Sequence, residues 1–367
     1  MATKRIVVKV GTSSISHPNG RLHFGQLERL VRDIADLENA GYRMLLVSSG
    51  AIGAGMGRLG LQVRPEIMAE KQAVAAVGQG LLMQVYSRLF AEYGHICAQV
   101  LLTAEDLEER KRFLNCRNTL HALLARSVIP VVNENDSVAV DEIKFGDNDT
   151  LSALVANLVG ADLLILLSDI DGVYDKDPRL YQDARRLEVV DSITPEIMKM
   201  AGRAGAQGTG GMATKLHAAR IAQGSGIPMI IASGSEKGVI GRAVAGEPVG
   251  TRFTADRAAL NSRKRWLAFY THPQGKLVVD AGAATALDRG NSLLPIGVVS
   301  FVGPFHAGDL VQVVDVNGRE LAKGISNYSS EEVERVKGKP SSAVQRILPG
   351  SENCEVIHRD NLVMVDF

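Results

Sequence analysis

Six short apolar runs, each ending in small or polar residues and each followed by a helical pattern or a turn, restrict this chain more than any other feature. They are residues 5–10, "YRMLLVSSG", "ICAQVLLT", "VIPVVNEND", "DLLILLSD" and "IPMIIASG". Between the first two, Leu27, Leu30, Val31, Ile34 and Leu37 recur at helical spacing before Gly41 stops the pattern. A second helical region runs from about Glu66 to Tyr93 and ends at Gly94, and a third opens at Thr103 with Asp106 in a variant of the capping box. Further helices are expected near residues 150–159 and after "GTGGMATK". Strands this apolar cannot leave a face in water, so the pattern predicts an α/β fold: a mostly parallel sheet covered by helices on both faces. This part closes near residue 255.

The texture then changes. "ADRAALNSRKRWLAFYTHPQG" is dense in basic residues, holds the only tryptophan, Trp266, and reads as a linker over 256–274. From residue 275 to 367 the strands become short and glycine-punctuated, with Asn317 and Gly318 as a hairpin turn, which predicts a small, mostly β barrel or sandwich. A second hairpin is expected at "VAVDEIKFGDND".

Bulk properties exclude several classes. Lysine plus arginine equals aspartate plus glutamate at 41 each, so no excess charge points to nucleic acid or an anionic membrane. Cys97, Cys116 and Cys354 are odd in number and far apart, against a disulfide framework or a zinc site. The N-terminus lacks the pattern of a signal peptide, and "LVANLVGADLLILL" is too short and polar-broken to span a bilayer. A cytoplasmic protein is the expectation.

In an open parallel sheet, ligands gather at the carboxyl ends of the strands. That rim carries Lys9 and Gly11; Ser48, Ser49 and Gly50; Asn133, Asn135 and Asp136; Asp147, Asn148 and Asp149; Ser168 and Asp169; and Lys215. Lys9 lies inside "IVVKVG", where a lysine must either snorkel or find a counter-charge, and Asp149 is a plausible partner as well as an N-cap. Asp169, Asp171, Asp175 and Asp177 also suit a solvated loop. "GTGGMATK" fails the Walker spacing, because Thr214 separates the last glycines from Lys215, yet a glycine-rich turn entering a helix still offers N–H groups to phosphate. Two lysines, glycine turns and acids on one rim suit phosphoryl transfer, which needs positioning and positive charge. No histidine is placed for a hydrolytic triad. "GMGRLG", Gly55 to Gly60, keeps a dinucleotide-binding Rossmann enzyme as an alternative, although the acidic residue that should follow is misplaced.

In this order, "VVKVGTSSI", "VSSGAIGAG", "VVNENDSVAV", "FGDNDTLSALVA", "LLSDIDGVYDKDP" and "GTGGMATK" resemble the glutamate 5-kinases of the amino acid kinase family. "SLLPIGVVSFVGPFHAGDLVQV" and "GISNYSSEEV" resemble the PUA domain that many bacterial members append. The resemblance implies ATP-dependent phosphorylation of the L-glutamate side-chain carboxylate, the first step of proline biosynthesis. It also implies magnesium, inhibition by proline, a homo-oligomer (dimer or tetramer) and possible handover to a reductase acting on glutamyl phosphate. By position, Lys9 and Lys215 would flank the transferred phosphoryl group and Asp149 would orient them. Ser49 with Gly50, Asp136 and Asn148 would hold glutamate; Lys9, Ser168, Asp169, Thr209, Gly210, Gly211, Met212, Ala213, Thr214 and Lys215 would hold ATP. No residue is assigned to the metal. Ser168 and Ala213 depart from the threonine and serine more usual in the family. Other members of the fold, acting on aspartate or acetylglutamate, are separated only by the acceptor pocket. The acid-rich balance of the C-terminal part, with few aromatics, argues against RNA binding there.

Overall fold

A computed structural model describes residues 3–17, 19–138, 148–178, 180–202, 211–255, 273–349 and 354–364. The chain divides into two compact units that part at residues 259 and 260. Residues 139–147 of the expected hairpin at "VAVDEIKFGDND" and nearly all of the expected linker lie outside the described residues, while Asn148 and Asp149, at the hairpin's end, belong to a helix.

The first unit is built on a sheet of β1 (Arg5–Val10), β2 (Arg43–Ser48), β3 (Cys97–Leu102), β4 (Ile129–Glu134), β5 (Leu163–Ser168), β6 (Val189–Val190), β7 (Met229–Ser233) and β8 (Thr251–Phe253). Their order is β3-β4-β2-β1-β5-β7-β8-β6, and every pairing is parallel except β7 with β8. The apolar runs thus became strands, with β1 central between β2 and β5. Val10 lies level with Ser48 and Leu167, so the polar residues after these strands emerge at one edge.

The connecting helices are α1 (Thr12–Ile15), α2 (Phe24–Asn39), α3 (Ala51–Leu59), α4 (Met68–Glu92), α5 (Ala104–Glu108), α6 (Arg110–Ala125), α7 (Asn148–Val159), α8 (Pro195–Gly202), α9 (Met212–Gly224) and α10 (Val239–Ala245). Successive strand residues face opposite sides of a sheet. Ile6, Val8 and Val10 share a core with residues of α2, α4 and α10. Lys9 therefore faces the other side, where α7 packs on β1 and α9 packs on α7. In α7, Asp149 and every residue from Leu151 to Val159 are buried. The Thr103–Asp106 capping box is formed, but the helix it opens is broken at Glu109, whose carboxylate caps α6 through the N–H groups of Lys111 and Arg112.

"GMGRLG" is not a strand-to-helix turn. Gly55 and Gly57 lie within α3, and Gly60 caps its C-terminus. A Cβ on Gly55 would stand 2.0 Å from the carbonyl of Val74, and one on Gly78 would stand 1.8 Å from that of Ala51, so these glycines let α3 and α4 touch backbone to backbone. The pattern serves helix packing, which removes the basis of the Rossmann alternative.

The second unit has one sheet of β9 (Gly275–Val279), β10 (Val298–Val302), β11 (Leu310–Asp315), β12 (Glu320–Ile325) and β13 (Leu362–Met364), ordered β10-β9-β11-β12-β13. Gly318, at φ +82°, turns β11 into antiparallel β12, as the Asn317–Gly318 pair predicts. Short helices at Ala281–Asp288, Ser330–Val336 and Ser341–Ile347, not expected from sequence, complete its core with Leu277, Val311, Val313, Val333 and Val344. Among the described residues no helix is long and apolar enough to cross a membrane.

Candidate active site

Three charged side chains from three different elements meet beneath the carboxyl ends of β1 and β5. Lys9 of β1 is 4% exposed, Asp149 in the first turn of α7 is 0% exposed, and Lys215 in the first turn of α9 is 7% exposed. Lys9 Nζ forms an ion pair with Asp149 Oδ1, and Lys215 Nζ donates to Asp149 Oδ2 at 3.1 Å. Thr214 Oγ1 lies 3.3 Å from the same Oδ2 and donates to the Gly211 carbonyl at 2.7 Å. Burial pushes the Asp149 carboxyl up, but the ammonium groups of Lys9 and Lys215 more than offset it and hold the group below the usual aspartate range. Among the described residues, two buried ammonium groups share one buried carboxylate, an arrangement suited to an anion.

Lys9 thus has the counter-charge that its place in an apolar strand demanded, and Asp149 acts through its side chain within the helix. Glycines shape the turns beside it. Gly50 caps α3 at φ +101°, and a Cβ there would be strained and would meet Ile15 Cδ1 at 2.9 Å. Gly211 caps α9 and has no side chain to accept from its first N–H groups. The first N–H groups of a helix have no intrahelical acceptor, so those of Met212, Ala213 and Thr214 are directed at whatever lies beyond the turn.

Next to the cluster stands a chain of neutral polar groups. Asn148 Nδ2 donates to Ser49 Oγ at 2.8 Å and to Asn133 Oδ1 at 2.9 Å, and lies 3.4 Å from the Ser48 carbonyl. Ser48 Oγ and the Tyr86 hydroxyl are hydrogen-bonded at 2.8 Å, and burial pushes the Tyr86 phenol well above its ordinary value. The Ser49 N–H donates to the Val10 carbonyl at 3.1 Å, tying the ends of β1 and β2 together. Asp136 is half-buried in the turn after β4. Ser168 Oγ donates to Asp169 Oδ1 at 3.0 Å where β5 ends, with Ser168 buried and Asp169 exposed. Asp171, also in that turn, is paired with Arg186 at 3.0 Å. Thr209 and Gly210 lie outside the described residues, as does Asp147.

The structure therefore links Lys9, Asp149, Lys215 and Thr214 in one network, and Asn148, Ser49 and Asn133 in another. Tyr86 and Gln79 of α4 belong to the second network and carry no strand-end signal. Among the described residues no group of three or more histidine, cysteine, aspartate or glutamate side chains could hold a metal ion.

A parallel-sheet core with two buried lysines on one carboxylate at its rim defines an anion-handling α/β domain. A model of the amino acid kinase family matches residues 4–233, and a PUA domain model matches residues 275–348. The chain is 55% identical over 364 residues to the glutamate 5-kinase of Caldanaerobacter subterraneus subsp. tengcongensis, covering 99% of this chain and 98% of that one. It is 51% identical over 364 residues to the glutamate 5-kinase of Moorella thermoacetica, covering 99% and 96%. A carbamate kinase from Giardia lamblia bound to AMP-PNP shares the fold at a TM-score of 0.52 and 20% identity, over 70% of this chain and 99% of that one. The chain belongs to the amino acid kinase family and, within it, to the glutamate 5-kinases that carry a C-terminal PUA domain. It is a kinase.

Proposed function

We propose that this kinase transfers the γ-phosphoryl group of ATP to the side-chain carboxylate of L-glutamate. The observation that carries the proposal is the Lys9–Asp149–Lys215 cluster, two buried cations held apart by one buried anion. A glutamate side chain has a reference pKa of about 4.3, so the acceptor is ionised at neutral pH and needs no general base. One carboxylate oxygen forms the new bond to phosphorus while the bond from phosphorus to the bridging oxygen breaks, and ADP leaves with that electron pair. The obstacle is bringing two anions together. Lys9 and Lys215 supply fixed positive charge on the path of the phosphoryl group, and Asp149 holds both ammonium groups in place.

In this reading Ser49, Gly50, Asp136 and Asn148 receive glutamate, with the Asp136 carboxylate facing its ammonium group. Ser168, Asp169 and the segment from Thr209 to Lys215 receive ATP, the N–H groups of the first turn of α9 meeting phosphate oxygens. Magnesium suits such a site. It binds through one or two carboxylates together with substrate phosphates, so an all-protein cage is not needed, and it would screen the phosphates. Asp149 is already committed to two lysines, and we assign the metal to no residue. The proposal divides the chain into a catalytic domain over 1–255, a linker over 256–274 and a PUA domain over 275–367. It places the enzyme in the cytoplasm as a homo-oligomer at the first step of proline biosynthesis, inhibited by proline, with the PUA domain in a structural or regulatory role.

The test is turnover of ATP with L-glutamate, L-aspartate, N-acetyl-L-glutamate, carbamate and UMP in turn, with magnesium and with chelator, reading ADP release and trapping of acyl phosphate as hydroxamate. Glutamate should give the highest kcat/KM, and only with magnesium. Greater efficiency with another acceptor would overturn the substrate assigned here.

A further inference from the structure

Gln79 is a buried glutamine in the middle of α4, 8% exposed, with no role in the reading above. Its Oε1 accepts from Asn133 Nδ2 at 2.8 Å. Asn133 Oδ1 in turn accepts from the Glu134 N–H at 2.9 Å and from Asn148 Nδ2 at 2.9 Å. Two polar atoms of this chain of amides are buried without a hydrogen-bond partner, Gln79 Nε2 and Asn148 Oδ1.

The polarity of the chain follows from its one invariant donor. A backbone N–H can only donate, so the Asn133 atom facing Glu134 must be the oxygen. The Asn133 nitrogen then faces Gln79, which must present its oxygen. Asn133 Oδ1 also requires the nitrogen of Asn148. Both hydrogens of that nitrogen are thereby used, on Asn133 and on Ser49. What Asn148 has left is an oxygen, which can only accept. Ser49, having accepted, keeps its own hydrogen to donate.

Buried polar atoms are almost always paired, so an orphaned acceptor here calls for an explanation. We infer that Gln79 is a positioning residue: through Asn133 it fixes the amide of Asn148 so that Oδ1 receives the ammonium group of the amino-acid substrate, while the Ser49 hydroxyl is left to donate to a carboxylate. The inference rests on the proposed reading that this pocket takes glutamate. It also accounts for a glutamine at a core position where leucine would fill space at no polar cost, because the unpaired Nε2 is the penalty for presenting Oε1. Without Oε1, Asn133 Nδ2 loses its acceptor, and the Asn133 side chain, its polarity still set by the Glu134 N–H, loses the second hydrogen bond that holds it in place against Asn148.

The experiment is a double-mutant cycle on the full-length enzyme: Gln79→Leu and Gln79→Glu, each alone and with Asn148→Ala, with KM measured for the amino acid and for ATP. Gln79→Leu should raise KM for L-glutamate about tenfold and leave KM for ATP within about twofold, as expected for a misdirected hydrogen bond to a charged group. Gln79→Glu keeps an oxygen facing Asn133 and should restore most of the affinity for glutamate. In the Asn148→Ala background Gln79→Leu should add less than about twofold, because its effect passes through Asn148. Equal rises in both KM values, no rise at all, or a tenfold rise that persists without Asn148 would each overturn the inference. Turnover by the unmodified enzyme separates this from the reading beneath it. If L-aspartate replaces L-glutamate as acceptor, that reading fails while the same cycle is run on aspartate, which carries the same ammonium group. Turnover with neither amino acid overturns both.

Discussion

The two units bury different things. Among the described residues of the second unit, the buried side chains that carry a polar atom are Ser326, satisfied locally by the Tyr328 carbonyl, and Tyr328 itself, and the half-buried Glu320 keeps Oε1 out of solvent. The first unit buries Lys9, Glu38, Asp149 and Lys215, all of them charged, besides Ser48, Gln79, Asn133 and Ser168 near its strand ends. Glu38 shows what a structural charge looks like: it pairs with Arg43 at 3.1 Å and accepts from the Met44 N–H at 2.8 Å, within one helix-to-strand connection. The Lys9–Asp149–Lys215 cluster joins three elements distant in sequence and has more cation than anion. Burying charge costs free energy that an apolar core does not incur. The contrast teaches where charge is buried: the described core of the second unit is almost free of it, and the first unit holds a cation-rich cluster near its strand ends.

The largest break in that contrast is expected from Asp149→Ala. Removing the shared carboxylate leaves two ammonium groups buried and facing each other, and chemical denaturation should register a loss of about 3–5 kcal/mol together with loss of turnover. Its pH dependence has a defined sign. The folded-state pKa of Asp149 is depressed, so its contribution to stability is fully present above the unfolded value of about 3.9 and fades as pH falls below it. The stability gap between the native enzyme and Asp149→Asn should therefore be flat near neutrality and shrink in acid. A gap that widened below pH 4 would contradict the assignment of charge.

Lys9→Met and Lys215→Ala should each lower kcat by about 3–4 kcal/mol of transition-state stabilisation, a hundredfold or more, with a much smaller rise in KM for glutamate. Near-normal kcat in either variant would remove that lysine from the chemistry. In the second unit, Leu277→Ala opens a cavity in a dry core and should cost roughly 2–4 kcal/mol in the unfolding of that unit, with kcat and both KM values preserved. The smallest effect sharpens the acceptor end: Asp136→Asn should raise KM for glutamate by about 1–2 kcal/mol, near tenfold, and leave KM for ATP almost unchanged, because one charge-assisted contact becomes neutral. Equal losses for both substrates would place Asp136 elsewhere.

The charged cluster was legible in sequence for a physical reason. A lysine inside an apolar strand requires a partner, and strand alternation together with the buried face of α7 supplies Asp149. What stayed hidden depends on distant contacts. Gly53, Gly55 and Gly57 give α3 poor intrinsic helix propensity, and contacts outside the helix are what make them useful there: Gly55 meets Val74 and Gly78 of α4, Gly57 meets Gly20, and Gly53 lies beside Thr12. Gln79 sits among small residues of α4, and its partner Asn133 is 54 positions away on β4. Tyr86 meets Ser48 by the same route. In the second unit the sequence does carry start signals for two of the unexpected helices, the Asp280 cap on the Ala283 N–H and the Ser329–Glu332 capping box, but the short glycine-punctuated strands around them outweigh them.

The central claim is that the catalytic groups all belong to the first unit, and kinetics of a chain ending near Arg257 tests it most directly. With folding verified by far-ultraviolet circular dichroism, this fragment should retain magnesium-dependent phosphorylation of glutamate, while its response to proline or its assembly changes. A folded fragment with no turnover at saturating glutamate and ATP would contradict the account.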